Sequence, residues 1–207
     1  MDYLVRKIKN AKIKLDNKIE QNKNRKSLIN KDFTIISNNC WGGMIYTKYG
    51  LQYRTPTVGL YILGHDFVKL CSNFDWYING ELEFIKWEDS SFYSEIKDEK
   101  PYPVANLNDI EIYFMHYKSE EEAREKWERR KKRINPDCIL FKLSQREDCS
   151  KSDIEKFVSL PLQNKICFSH DHVEGAIYVP ELKTHVGDEI PVLERYIDDL
   201  KILNGLN

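Results

Sequence analysis

Residues 33 to 179 alternate short apolar, β-branched runs with stretches of helical spacing, and few folds tolerate that alternation. Strand-like runs lie at Phe33 to Ser37, Thr57 to Leu63, Glu81 to Trp87, Asp109 to Tyr117, Cys138 to Leu143, Lys165 to Ser169 and Ala176 to Val179. A helix is predicted from Ser119, with Glu122 placed to complete a capping box, through to Ile134, where Asn135-Pro136 ends it. A second begins near Ser150 with Asp153 three residues on, and a third covers about Val192 to Leu203. Strands separated by helices predict an α/β fold with a mixed, mostly parallel sheet and helices on its faces. The tract from 81 to 117 has strand signals without a helix, so an antiparallel excursion is expected there.

The first thirty residues are different. Residues 1 to 31 hold ten basic residues against three acidic, a net of +7, although the whole chain is at −1. Leu4, Ile8, Ala11, Leu15 and Ile19 recur at spacings of three and four, the signature of an amphipathic helix. Such a helix serves either as a peripheral anchor on an anionic membrane surface, through residues 1–20, or as a stripe packed on its own domain or a second subunit. Residues 21 to 31 lose the periodicity and read as a linker, which divides the chain into a basic helix and linker, 1–31, and a single α/β domain, 32–207.

Several function classes lose support on composition and motif. The near-neutral total charge gives no reason to expect a nucleic-acid partner. Cysteines at 40, 71, 138, 149 and 167 form no C-x-x-C pair, which argues against a zinc ribbon or a disulfide scaffold and predicts reduced thiols in a cytoplasmic setting. The basic N-terminus lacks the apolar core of a signal peptide. Walker A, G-x-G-x-x-G, H-E-x-x-H and G-x-S-x-G motifs are missing from the sequence. His170-Asp-His172 has no recognisable third ligand, so no metal is assigned and no tightly bound cofactor is expected.

Two places carry chemistry. In an open α/β sheet, ligands bind beyond the carboxyl ends of the strands, where Ser37-Asn38-Asn39-Cys40-Trp41-Gly42-Gly43 falls. A thiol at a helix N-terminus is expected to shift toward the thiolate, and the amides of Asn38 and Asn39 can donate to a developing oxyanion. Cys40 is therefore a candidate acyl acceptor, with a small buried hydrophobe as its alternative reading. The second place is His116, at the end of the 109–117 strand, a candidate general base. Behind it, Arg130 shares a helical stripe with Ala123, Trp127 and Ile134 and needs an anionic substrate or a carboxylate such as Glu111. Arg133 lies beside it. Aromatic residues, Trp41 and Tyr53 among them, crowd the first site, and sugars stack on such rings.

The run Phe33 to Gly43, with Tyr46, Gly50, Tyr53, Thr55-Pro-Thr57-Val-Gly-Leu60 and Asp66, resembles the opening block of a bacterial family of unknown function often labelled exopolysaccharide biosynthesis proteins. Tyr102-Pro103, the strand Glu111 to Tyr117, Trp127 to Arg130, Arg133 to Asn135, Arg146 with Asp148, and Lys165 to Phe168 extend the resemblance over about residues 33 to 180. It implies a three-layer α/β fold and a place in capsule or exopolysaccharide assembly, where members are commonly described as acetyltransferases. The family's mechanism assigns no roles, yet its motif positions coincide with Asn38, Asn39, Cys40, His116, Arg130 and Arg133. The expected activity is acyl transfer from acyl-CoA to a hydroxyl of a sugar or lipid-linked glycan precursor at the inner membrane face. Arg130 and Arg133 would hold a phosphate, and Trp41 and Tyr53 the sugar. A glycosyltransferase, or a glycan-binding assembly protein that catalyses nothing, are the alternatives.

Overall fold

A computed structural model describes residues 2–93, 102–184 and 187–206. The strands divide into two sheets, one for each kind of connection in the sequence. Strands β1 (Thr34–Ser37), β6 (Ile139–Ser144), β7 (Asn164–Ser169) and β8 (Ile177–Tyr178) run parallel in that spatial order. The central excursion forms its own antiparallel sheet in the order β2 (Tyr61–Ile62), β5 (Ile110–Tyr113), β4 (Val104–Leu107) and β3 (Leu82–Ile85). Strand β4 had no strand signal of its own in the sequence. It is held by its neighbours on both sides and turns into β5 through Asn108, in the left-handed region at φ 56.

Helices cover both faces of the parallel sheet. Alternation along β1 and β6 sends Ile35 and Leu140 to one face, and Ile36, Phe141 and Leu143 to the other. The first face packs against α2 (Trp41–Lys48) and, further along, against Leu193 of α7 (Ile190–Leu193) and Leu203 of α8 (Asp199–Asn204). The second packs against α3 (Gly64–Ser72), α6 (Lys151–Ser159) and Trp127 of α5 (Glu120–Lys131), a core shared with the antiparallel sheet. The short helix α4 (Phe74–Ile78) closes that core.

Local signals held where they were complete. Ser150 and Asp153 form the reciprocal capping box at the start of α6. At α5, Ser119 accepts from the Glu122 amide, but the Glu122 carboxylate reaches past the cap to the Lys118 N–H. The helix expected over 192–203 is broken in two, because Asp198 accepts from the Lys201 amide and starts α8 afresh. The linker expected from residue 21 is helical instead: α1 (Asp2–Ser27) continues as far as Ser27. Gln21 Nε2 donates to the Thr47 carbonyl at 2.9 Å and Asn24 Nδ2 to the Lys48 carbonyl at 3.2 Å, so these last turns dock on α2. Among the described residues no helix is long and apolar enough to cross a membrane.

Candidate functional site

The two sheets meet where β1 ends. Past Ser37, the Asn38 carbonyl accepts from Ile62 of β2 at 2.9 Å, and the Asn38 side chain pairs both ways with the Ser144 backbone at 3.0 Å. Asn38 thus joins three strands. It is fully buried and lies below the cleft that opens at this junction, outside its lining.

That cleft measures about 750 Å³. Its floor is Asn39, Cys40 and Trp41 from the β1–α2 turn together with Arg146 and Asp148 from the loop after β6. One wall is aromatic, with Tyr61, Phe92 and Tyr102. His65 and His116 stand at its edge, and Glu189, from the chain just before α7, closes the far side. Cys40 and His116, distant in sequence, therefore line one cleft as expected, along with Asn39 and Trp41.

The turn itself is tightly made. Ser37 Oγ donates to the Asn39 carbonyl at 2.7 Å and accepts from the Gly42 amide at 3.2 Å. A Cβ at Gly42 would come within 2.9 Å of both Ile35 Cγ2 and Ser37 Oγ, so this glycine is required by the approach of α2 to β1. Asn39 Oδ1 accepts from the Trp41 amide at 3.2 Å and from Lys142 Nζ at 3.1 Å. Both partners are obligate donors, which fixes the orientation of the amide. Asn39 Nδ2 is left buried with no protein partner among the described residues.

Lys142 is the residue that sequence reasoning missed. It lies in the middle of the apolar strand β6 and is fully buried. Its ammonium bonds Glu189 and sits over the rings of Trp41 and Phe168, at 5.6 Å and 5.7 Å. Glu189 also accepts from Arg146 at 3.2 Å. Burial pushes Lys142 down to about 8 despite that carboxylate, whereas the two cations hold Glu189 below the usual carboxylate range. A lone lysine in an apolar strand was the available signal; its partner, 47 residues away, gave none.

The thiol departs from expectation. Cys40 precedes α2 with helical backbone angles, yet its pKa is raised: burial is the largest cause, followed by the Glu189 carboxylate. These outweigh the lowering by Lys142 and Arg146, so at neutral pH Cys40 is a thiol.

Arg130, Arg133 and Tyr53 lie outside the cleft. The Arg130 guanidinium donates to the Tyr117 hydroxyl and to the Val58 carbonyl, and it stacks over Tyr53 at 5.0 Å. No carboxylate reaches it among the described residues. Glu111, the suggested partner, accepts instead from Ser91 and Tyr113. Arg133 donates to the Tyr53 carbonyl at 3.3 Å. Together these residues brace the chain leading to β2 against α5. His172, from the other candidate motif, stacks on Tyr178 at 3.8 Å.

The chain is 35% identical over 169 residues to an uncharacterised protein of Haemophilus influenzae, covering 79% of this chain and 77% of that one. The sequence pattern of the domain of unknown function DUF1919 matches residues 11–206, from within α1 to just past α8, and the chain belongs to that family.

Proposed function

We propose that the cleft is the active site of an acyltransferase that modifies a sugar hydroxyl in surface-polysaccharide synthesis, with an acyl-CoA as donor. One observation carries this reading: beside Cys40, Asn39 presents a buried amide N–H whose orientation is fixed and which has no protein partner among the described residues. Leaving such a donor unpaired costs on the order of 1 to 3 kcal/mol, and an oxyanion forming beside Cys40 would offset that cost only as it forms. The lining also favours a sugar. The carboxylates of Glu147, Asp148 and Glu189 can accept from hydroxyl groups, and the aromatic wall supplies stacking faces.

In the first step Cys40 Sγ attacks the acyl carbon and His116 takes the thiol proton. The CoA sulfur then leaves and recovers that proton from the imidazolium. In the second step a sugar hydroxyl attacks the thioester and gives its proton to His116, while the Cys40 thiolate leaves and is reprotonated. Asn39 Nδ2 donates to the oxyanion in both steps. Because Cys40 is held as a thiol at neutral pH, acylation should accelerate as pH rises through its raised pKa.

The test is incubation of the full chain with short-chain acyl-CoAs, followed by peptide mass spectrometry. A hydroxylamine-labile adduct on Cys40, absent from Cys40→Ala and formed about 100-fold more slowly by Asn39→Ala, is the expected result. Sugar binding with no adduct on Cys40 would instead make the cleft a glycan-binding site.

A further inference from the structure

The apolar stripe of α1 faces away from the rest of the protein. At about 100° per residue, Ile8, Ala11, Leu15 and Ile19 fall within an arc of about 80°. Gln21 and Asn24, which hold the helix to α2, lie about 150° around it. A straight helix docked through one face presents the opposite face to solvent, and Ile8, Leu15 and Ile19 are 63%, 59% and 59% exposed. The stripe is therefore not packed on its own domain, which leaves a membrane surface or a second subunit to cover it.

The charges on its borders select the occupant. Lys7, Lys14 and Lys18 flank the stripe on one side and Lys12 on the other, and between Val5 and Glu20 six cations face two carboxylates. A second copy of this helix would set like charge against like along both borders, over a seam only five apolar residues long, from Leu4 to Ile19. An anionic surface pairs with every one of them.

We propose that α1 lies flat on an anionic bilayer, with Ile8, Ala11, Leu15 and Ile19 buried at the headgroup level and the bordering lysines among the headgroups. The proposal stands on α1 alone, whatever chemistry the cleft performs. Each lysine near such a surface contributes roughly fivefold in affinity, and salt weakens this as the screening length falls from about 8 Å toward 3 Å at 1 M.

The experiment is co-sedimentation of the full chain with vesicles of equal parts phosphatidylglycerol and phosphatidylcholine, and with phosphatidylcholine alone. Binding is expected to the first only, and to weaken steeply with salt. Lys7→Glu/Lys14→Glu/Lys18→Glu, and separately Ile8→Glu/Leu15→Glu, should each lose at least tenfold. Ile13→Ala, off the stripe, should bind as the parent does. All of these positions are on the exposed part of α1, so circular dichroism should report an unchanged fold. Failure of the parent chain to sediment with the anionic vesicles overturns the proposal, as does undiminished binding by Ile8→Glu/Leu15→Glu. So does a dimer in light scattering that this double variant converts to monomer without vesicles playing any part, since the stripe would then be a subunit contact.

Discussion

Lys142 and Glu189 form a buried ion pair that is costly to leave incomplete. Both are buried and each answers the other's charge, so Lys142→Met strands a buried carboxylate with Arg146 as the cation left to it among the described residues. A loss on the order of 3 kcal/mol in urea unfolding is expected, and Lys142→Met/Glu189→Leu should recover most of it, because a packed apolar pair pays no desolvation. The pair also has a pH signature. Lys142 is lowered to about 8 in the folded protein from an ordinary 10.5, so between those values the unfolded chain binds more protons. Stability from this group therefore rises as pH climbs from about 8 toward 10.5. Urea midpoints at pH 7.5 and 10 should show the parent gaining on the double variant, and an unchanged difference would mean that Lys142 titrates normally.

At the scale of elements, the entry of α3 is set by a glycine. Gly64 donates its N–H to Asp148 at 2.6 Å, and a Cβ there would lie 2.4 Å from Cys149 Cβ and 2.9 Å from its backbone Cα. Helix propensity alone would make Gly64→Ala mildly stabilising. Contact with backbone rather than a flexible side-chain end reverses the sign, and a loss of about 1 to 3 kcal/mol is expected. For a chain of this size that is a fall of roughly 2 to 12 °C in melting temperature. Gly187→Ala, where nothing lies within 4 Å, is the matched control and should change little. The two positions look alike in the sequence. Capping at Ser150 was legible there because both partners lie within one turn, and β1 because its apolar run is unbroken. Strand β4 was not, since Val104-Ala-Asn-Leu107 is a strand only by virtue of β3 and β5. The cleft shows the same division. The turn around Cys40 announced itself through local chemistry, but the Arg130 cage depends on Tyr53 and Tyr117 arriving from separate segments, and stripe arithmetic cannot show an arginine satisfied by rings and a carbonyl.

Across the whole molecule, order should be graded from the parallel sheet outward. Strands β1, β6 and β7 are buried nearly throughout, whereas α1 before Gln21 is exposed along its described length. Hydrogen exchange followed by mass spectrometry should find the amides of residues 5–18 exchanging orders of magnitude faster than those of β6. Equal protection would mean that the helix is packed against something. The alternation of strand and helix was enough to indicate the α/β class, because period and length are local properties of the chain. That the strands would sort into two sheets rested on pairings between distant segments. Distance along the chain also dictates when the cleft comes into being. Asn38 meets Ser144 across 106 residues, and Lys142 meets Glu189 across another 47. A ribosome releases these segments in order, so the Cys40 turn leaves the exit tunnel well before Arg146, Asp148 and Glu189, and the Lys142–Glu189 pair closes only after all of them have emerged. A nascent chain that stops before Glu189 carries the thiol, the imidazole and the aromatic wall, but leaves the Lys142 ammonium without its carboxylate.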